Sequence, residues 1–239
     1  MSAFERAQTP GLTLLREGEL EVEGRLPWSS NYTFLARVRH EGEECLAVYK
    51  PQKGERPLWD FEPGLFRREI AAYELSEALG WALVPETVRR DDAPMGTGSL
   101  QRFVDDVNFD EHYFTLLERP EHHATLIAIC AFDVLINNAD RKGGHCLLAE
   151  NGHIWAVDHG LAFHSEPKLR TVIWEFCGQP IHPTLVADIA RIAECVPPAV
   201  AAHLDDEETA ALQARAAAVV RRPMLPEPGA GRPYPWPLV

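Results

Sequence analysis

The chain has 239 residues, of which 46% are hydrophobic and 25% charged, and its formal net charge is −13. This composition argues against wholesale disorder and fits one large domain or two small lobes around a real core. The excess of acidic residues disfavours nucleic acid and anionic membranes as partners, because both attract positively charged surfaces.

The cysteines and the first residues indicate the compartment. The 5 cysteines are odd in number and no pair has CxxC spacing, which argues against a disulfide framework or a zinc knuckle. We therefore expect a reducing, cytoplasmic environment. Residues 1–11 have no apolar core, so no signal peptide is expected. The longest apolar run, residues 126–136, is about half a membrane span and contains Asp133, so we expect a soluble protein.

The first part of the chain reads as strands with one helix. Residues 12–50 form short alternating runs separated by turns, which predicts hairpin-linked strands. A stretch rich in proline and glycine follows, and helical spacing then predicts a helix over residues 66–79 that stops at Gly80. The strand candidates in this part are residues 20–23, 32–38, 45–50, 84–90 and 99–104.

The second part of the chain is predicted to be mainly helical. Residues 126–137 are apolar on nearly every side, which indicates a buried central helix. Residues 146–148 and 153–157 read as a short strand pair. Two further helices are predicted over residues 184–194 and 205–222.

Smaller signals mark the ends of these elements. Asp205 and Glu208 have the spacing of a helix capping box. Six prolines fall in the last 17 residues, so we expect an extended tail, with Tyr234 and Trp236 as its anchors.

The order of elements predicts an α+β fold with two lobes. We divide the chain into a β-rich lobe with one helix (residues 1–104), a helical lobe (105–222) and an extended tail (223–239).

The densest polar segment is the stretch from Asn137 to His145, directly after the apolar helix. Polar groups in such a place need partners and add little to folding, which indicates a functional loop. Asp158 ends the next apolar strand, beside Gly160, and we expect it to meet Asp140 at one cleft. Two carboxylates in a cleft suit Mg²⁺, which also takes water and phosphate oxygens as ligands.

A second group of residues comes from the strand-rich part. Lys50 ends an apolar strand, and Glu69 lies in the first turns of the helix that follows. A lysine held by a helix glutamate is the phosphate-binding ion pair of kinase-type phosphoryl transfer. The turn Ser29-Ser30-Asn31 could cradle phosphate through backbone N–H groups, although an ordinary hairpin turn explains it equally well.

Three motifs resemble those of the phosphatidylinositol 3-/4-kinase superfamily, especially its type II 4-kinases. Residues 98–104 resemble the hinge strand, residues 138–141 the catalytic loop and residues 158–160 the DFG-type metal motif. The stretch 137–145 is similar to that of short bacterial members of the superfamily. The resemblance covers roughly residues 20–175.

The resemblance implies a protein-kinase-like fold and a role for each matching residue. Lys50 would contact the α- and β-phosphates of ATP, and Glu69 would hold Lys50. Asp140 would orient or deprotonate the acceptor hydroxyl, and Asp158 would bind magnesium. The residues whose backbone groups would contact adenine are Gln101, Arg102, Phe103 and Val104.

One departure concerns the second metal ligand. The superfamily has asparagine five residues after the catalytic aspartate, whereas this chain has His145. Imidazole suits manganese or zinc better than magnesium, so His145 either binds a metal, contacts phosphate or marks a lost metal site. Lys142 could supply charge near the γ-phosphate, and we group it and Arg141 with Asp140 as candidate catalytic residues.

The sequence therefore predicts an enzyme that transfers phosphate from ATP with Mg²⁺ or Mn²⁺. The expected acceptor is a small molecule, a soluble polyol or metabolite, because the acidic chain lacks an apolar anchor or a basic cluster for membranes. A protein Ser/Thr or a phosphoinositide is the alternative acceptor. A nucleotide-binding pseudokinase and a structural protein without a nucleotide site are the non-enzymatic alternatives.

Overall fold

The computed structural model describes residues 10–27, 31–229 and 231–239. Short 3₁₀ turns connect several of the longer elements. The helices of this part of the chain are α1 (Pro10–Glu17), α2 (Leu65–Leu79), α3 (Tyr113–Leu117), α4 (His123–Ile136), α5 (Pro183–Glu194), α6 (Pro198–Ala201) and α7 (Asp206–Arg221).

The strands form a five-stranded antiparallel sheet and a separate two-stranded hairpin. The large sheet has the order β1-β2-β3-β5-β4, and β6 pairs with β7 in the hairpin. The strands are β1 (Glu19–Arg25), β2 (Phe34–His40), β3 (Glu43–Pro51), β4 (Thr87–Arg90), β5 (Gly98–Arg102), β6 (Cys146–Leu148) and β7 (Ile154–Ala156). The fold is thus mixed α and β, as the order of elements predicts.

The first element differs from the sequence prediction. Residues 12–17 belong to helix α1 and not to a strand, and the strand pattern begins only at β1. Leu12 and Leu15 lie one turn apart on α1 and are both buried, which is helical spacing within a segment too short to show it clearly. The buried Arg90 side chain donates to the carbonyls of Leu15 and Gly18, both at 2.9 Å, and so satisfies the helix end.

The predicted helices and strands in the rest of the chain are present with shifted bounds, whereas the short helices α3 and α6 were not predicted. Strand β4 starts at Thr87 and not at residue 84, because the N–H groups of Leu83 and Val84 donate to the Ser76 hydroxyl of α2. Helix α4 is buried along most of its length, and α7 begins with the predicted Asp205–Glu208 capping box.

The edges of the large sheet carry charged side chains. On the edge strand β1, Glu21 pairs with Arg39 of β2 at 2.9 Å, and Glu23 pairs with Arg37 at 2.6 Å. The opposite edge is β4, a strand of only 4 residues in which Arg89 is exposed.

The large sheet and α2 come from the first 102 residues, and the later helices and the hairpin from the rest. We keep the division at residues 104 and 105 as a proposal. Within the residues described, no helix combines the length and the apolar character needed to cross a membrane.

The tail is bound to the second part of the chain by hydrogen bonds to its backbone carbonyls. The carbonyl of Pro233 accepts from Thr171 N at 3.0 Å and from Trp174 Nε1 at 3.1 Å, and the carbonyl of Leu238 accepts from Gly143 N at 2.7 Å. The predicted anchors Tyr234 and Trp236 are exposed, so that part of the prediction is wrong.

Candidate active site

The structure joins Lys50, Glu69 and Asp158 in one cluster. Lys50 Nζ lies 2.5 Å from Glu69 Oε1 and 2.8 Å from Asp158 Oδ1. Lys50 comes from the end of β3, Glu69 from α2 and Asp158 from the segment after β7. The predicted ion pair of Lys50 and Glu69 is therefore present, and Asp158 contacts the same ammonium group.

The backbone around Asp158 is shaped to make this contact. Asp158 has φ of 62°, a left-handed conformation that a non-glycine residue adopts only where its surroundings require it. The next backbone N–H, that of His159, donates to Glu69 Oε2 at 3.0 Å. At Gly160, a Cβ atom would stand 3.3 Å from Glu69 Oε1, so a side chain there would press on the glutamate.

The charges of this cluster support one another. Burial disfavours the ammonium form of Lys50, but the carboxylates of Asp158 and Glu69 outweigh burial and raise the pKa of Lys50. The Lys50 ammonium in turn holds the pKa of Asp158 far below its ordinary value. One ammonium faces two carboxylates, and half of the Asp158 side chain is exposed, so a cation can approach it.

The catalytic-loop candidate Asp140 pairs with Lys142. Lys142 Nζ lies 3.1 Å from Asp140 Oδ2, and the backbone N–H of Asp140 donates to Asn138 Oδ1 at 3.0 Å. Burial raises the pKa of Asp140, Lys142 opposes this rise, and the charge of Asp158 adds to it. A carboxylate with a raised pKa is a better proton acceptor than an ordinary aspartate.

Arg141 lies beneath this loop and not in the cleft. Its side chain is fully buried and forms two hydrogen bonds of 2.9 Å with the carboxylate of Asp133. It also donates to the carbonyl of Val157 at 2.8 Å and contacts His159 Nε2 at 2.7 Å. Because the guanidinium has no exposed surface, we assign Arg141 a positioning role in place of the catalytic role expected from the sequence.

His145 contacts Asp158 through one ring nitrogen. Its Nε2 lies 3.4 Å from Asp158 Oδ2, and its Nδ1 accepts from Lys142 N at 3.4 Å. A ring that accepts at Nδ1 carries its proton on Nε2, which then faces the carboxylate as a donor. This arrangement favours a hydrogen bond to Asp158 over metal ligation by His145.

The adenine-binding candidates use most of their backbone donors inside the protein. Gln101 lies between β3 and β4, and its side chain donates to Thr87 Oγ1 at 2.8 Å. The N–H groups of Arg102 and Phe103 donate to carbonyls of neighbouring segments at 2.8 and 2.9 Å. Among these four residues, Val104 is the one whose N–H has no hydrogen bond to the part of the chain that the structure describes and lies outside the strands.

The phosphate-loop candidates are only partly covered. Ser29 and Ser30 lie outside the described residues. The side-chain oxygen of Asn31 accepts from Arg56 N at 2.9 Å, and Tyr32 N donates to Gly54 O at 3.0 Å. Asn31 therefore ties the turn to the segment after β3.

Sequence reasoning missed the role of one buried polar residue, Asp133, which supports the loop. Asp133 is fully buried and accepts from both Arg141 and Asn138, the latter at 2.9 Å. The signal was visible, since Asp133 is the one charged residue of an otherwise apolar helix and precedes Arg141 by eight residues. An acid in that position needs a buried cationic partner.

Comparison with solved structures defines the class of fold. A structure of hydra Fam20 with sugar superimposes with a TM-score of 0.60 at 14% identity, covering 90% of each chain. The Helicobacter pylori proinflammatory kinase CtkA matches with a TM-score of 0.49 at 11% identity, over 88% of this chain and 94% of that chain. The chain therefore shares the fold of hydra Fam20 over most of its length.

Comparison of sequences defines the family. The profile of the phosphatidylinositol 3- and 4-kinase family matches residues 71–185. Protein Rv2133c of Mycobacterium tuberculosis is 40% identical in an alignment of 261 positions that covers 94% of each chain. The chain belongs to the same family as this bacterial relative, and its residues 71–185 match the phosphatidylinositol 3- and 4-kinase family.

The burial of His145 predicts a dependence of stability on pH. Burial lowers the pKa of His145 from 6.5 to about 4, so the unfolded chain binds one more proton than the folded protein between these values. The stability that neutral His145 contributes is thus present above pH 6.5 and is lost as the pH falls toward 4. A full proton corresponds to about 1.4 kcal/mol per pH unit.

The matched variant His145→Gln isolates this contribution. Urea unfolding at a series of pH values should show the wild type losing stability more steeply than the variant below pH 6.5, by up to about 1.4 kcal/mol per unit. Parallel curves for the two proteins would show that His145 titrates normally in the fold.

Proposed function

We propose that the protein transfers the γ-phosphate of ATP to a hydroxyl group. The observation that carries this proposal is the contact of Lys50 with both Glu69 and Asp158, because it brings a lysine that would bind phosphate next to a carboxylate that would bind a metal ion. Catalysis of this kind consists mainly of positioning and charge neutralisation.

Asp158 would hold a magnesium or manganese ion. Within the described residues, no three His, Cys, Asp or Glu side chains gather closely enough to hold a metal ion by themselves. Mg²⁺ does not need such a group, since one or two carboxylates, phosphate oxygens and water complete its shell. The ion would neutralise charge on the phosphates, and the His145 ring, whose Nε2 lies 3.4 Å from Asp158 Oδ2, would help to orient that carboxylate.

The remaining residues would bind ATP and prepare the acceptor. Lys50 would leave its contact with Asp158 and contact the α- and β-phosphates while Glu69 holds it. Val104 would supply a backbone donor for adenine. Asp140 would accept the proton of the acceptor hydroxyl, and Lys142 would stabilise the negative charge that develops on the transferred phosphate.

A melting experiment tests nucleotide and metal binding together. ATP with Mg²⁺ at about 100 times its dissociation constant stabilises the folded wild type by about 2.7 kcal/mol. For a chain of this size that is a rise in Tm of roughly 5–10 °C. In Asp158→Asn we expect ATP to keep a small effect and Mg²⁺ to add nothing to it.

The control for this experiment is Asp110→Asn, a change of the same type at an exposed position of the loop after β5. It should leave the response to ATP and Mg²⁺ as in the wild type. If neither ATP nor ADP changes the melting temperature of the wild type with magnesium, manganese or zinc, the result contradicts the proposal. It favours a structural protein without a nucleotide site.

We infer that the acceptor is a soluble polyol or a related metabolite. The net charge of −13 opposes binding to anionic bilayers, and cytoplasmic location remains the prediction from the cysteines. Sedimentation with vesicles that contain an anionic phosphoinositide tests this choice. Strong, salt-sensitive binding would favour the lipid acceptor, whereas phosphate transfer to a protein Ser or Thr would favour a protein kinase.

The second candidate is a nucleotide-binding pseudokinase. The observation in its favour is His145, which stands where the superfamily has a metal-binding asparagine and whose Nε2 lies 3.4 Å from Asp158 Oδ2. Stabilisation by ATP without transfer to any acceptor, and without ATP hydrolysis, would support this candidate.

A further inference from the structure

The helix that carries Glu69 is held from several sides. Eleven of the 15 residues of α2 are buried, although the helix belongs to the strand-rich part of the chain. Its neighbours include the C-terminal helices α5, α6 and α7. Most of that region, from residue 186 onward, lies beyond the residues that the family profile matches.

The first anchor is a buried ion pair next to the site. Arg68, the residue before Glu69, donates through Nη2 to Glu208 Oε1 of α7, and the two side chains are 5% and 7% exposed. Glu208 Oε2 accepts from Asp205 N at 3.1 Å, so the carboxylate is fixed from both sides. The Arg68 guanidinium also lies over the Phe61 ring at 5.3 Å.

The second anchor is at the opposite end of α2. Arg191 of α5 donates to the carbonyls of Ala78 at 3.2 Å and Leu79 at 3.4 Å, where α2 ends. Asp188 holds Arg191 at 2.6 Å and also accepts from Trp81 Nε1 at 3.0 Å. Both ends of α2 are thus attached to the C-terminal helices.

We propose that Glu208 is a positioning residue for the Lys50–Glu69 pair and acts through Arg68. If α2 moved away from the cleft, Arg68 and Glu208 would separate and leave two buried charges without partners, which is strongly unfavourable. The ion pair therefore keeps Glu69 within reach of Lys50. The catalytic value of this position rests on the proposed phosphotransferase function.

One amide reports directly on the position of Glu69. The N–H of His159 donates to Glu69 Oε2 at 3.0 Å, so its hydrogen exchange accelerates when Glu69 withdraws. In the full-length variant Glu208→Gln we expect this amide to exchange about tenfold faster than in the wild type, relative to the slowest amides of α4. Transfer to the acceptor should fall in kcat by a similar factor at an unchanged KM for ATP.

The matched control is Asp205→Ala. It removes the other half of the capping box, in which Asp205 Oδ1 accepts from Glu208 N at 2.7 Å, but leaves the pair with Arg68 intact. It destabilises α7 by about 1 kcal/mol, the usual cost of a lost N-cap. The exchange of the His159 amide, relative to the α4 amides, should be unchanged.

Two further results decide the inference. Arg68→Gln should reproduce the effect of Glu208→Gln, and the double variant should add nothing, because both changes remove the same pair. Unchanged exchange in Glu208→Gln, or equal acceleration in Asp205→Ala, would overturn the inference. If the wild type transfers no phosphate while the exchange results hold, the proposed function fails and the positioning of Glu69 stands.

Discussion

Asp140→Asn should lower the turnover of ATP by about 10²–10⁴-fold, the usual contribution of a general base. The amide keeps the size of the side chain and the contact with Lys142 on one oxygen, but it cannot accept the proton of the acceptor hydroxyl. Nucleotide binding should persist, because Lys50 and Asp158 are untouched. Steady-state kinetics with a coupled ADP assay, together with the melting response to ATP and Mg²⁺, measure the two quantities separately.

Asp140→Ala removes the ion pair with Lys142 as well and should abolish measurable turnover. The exposed variant Asp110→Asn serves again as the control and should retain wild-type kinetics. A folded Asp140→Ala protein with turnover close to that of the wild type would contradict the role that we give to this carboxylate, and normal turnover after removal of both Asp140 and Asp158 would end the kinase proposal.

Arg141→Met should lower the free energy of unfolding by about 3–5 kcal/mol, because it leaves the buried carboxylate of Asp133 without its cation. The same side chain holds the carbonyl of Val157, which directly precedes Asp158. Urea unfolding at pH 7, followed by tryptophan fluorescence, measures the loss. Since domains are stable by about 5–15 kcal/mol, the variant should remain largely folded at low temperature.

A double variant separates the ion pair from the packing around it. Arg141→Met with Asp133→Leu removes both buried charges, and replacement of a buried pair by apolar residues is often close to neutral. We expect it to recover much of the stability that the single variant loses, less the cost of the hydrogen bond that Asn138 gives to Asp133. A single variant as stable as the wild type would show that the pair is not needed for the fold.

The sequence predicted the fold class and most of the elements because their signals are local. The alternation of apolar residues, the helical spacing and the capping box each lie within one short segment. The first helix was missed because α1 has 8 residues, and its three buried leucines, Leu12, Leu14 and Leu15, fit a strand prediction as well as a helical turn. The helix is distinguished from a strand only by tertiary contacts, in which Arg90 of the sheet donates to the carbonyls at the end of α1.

The candidate site could be predicted for a different reason. The roles of Lys50, Glu69, Asp140 and Asp158 came from a resemblance, and the structure supplies the distances that bring Lys50, Glu69 and Asp158 into one cluster. The sequence could not show which residues from distant parts of the chain contact and support the site. The pairing of Arg68 with Glu208 joins residues 140 positions apart, and no local pattern marks it.

The ion pairs between β1 and β2 affect the tendency of the protein to aggregate at high concentration. An unpaired strand edge is a template on which another chain can add a strand, and edges with charged side chains or very few residues resist this. Here one border carries Glu21 and Glu23, each paired with an arginine of β2, and the other has only the four residues of β4. The sheet is thereby protected against edge-to-edge aggregation while its inner strands hold Lys50 in place.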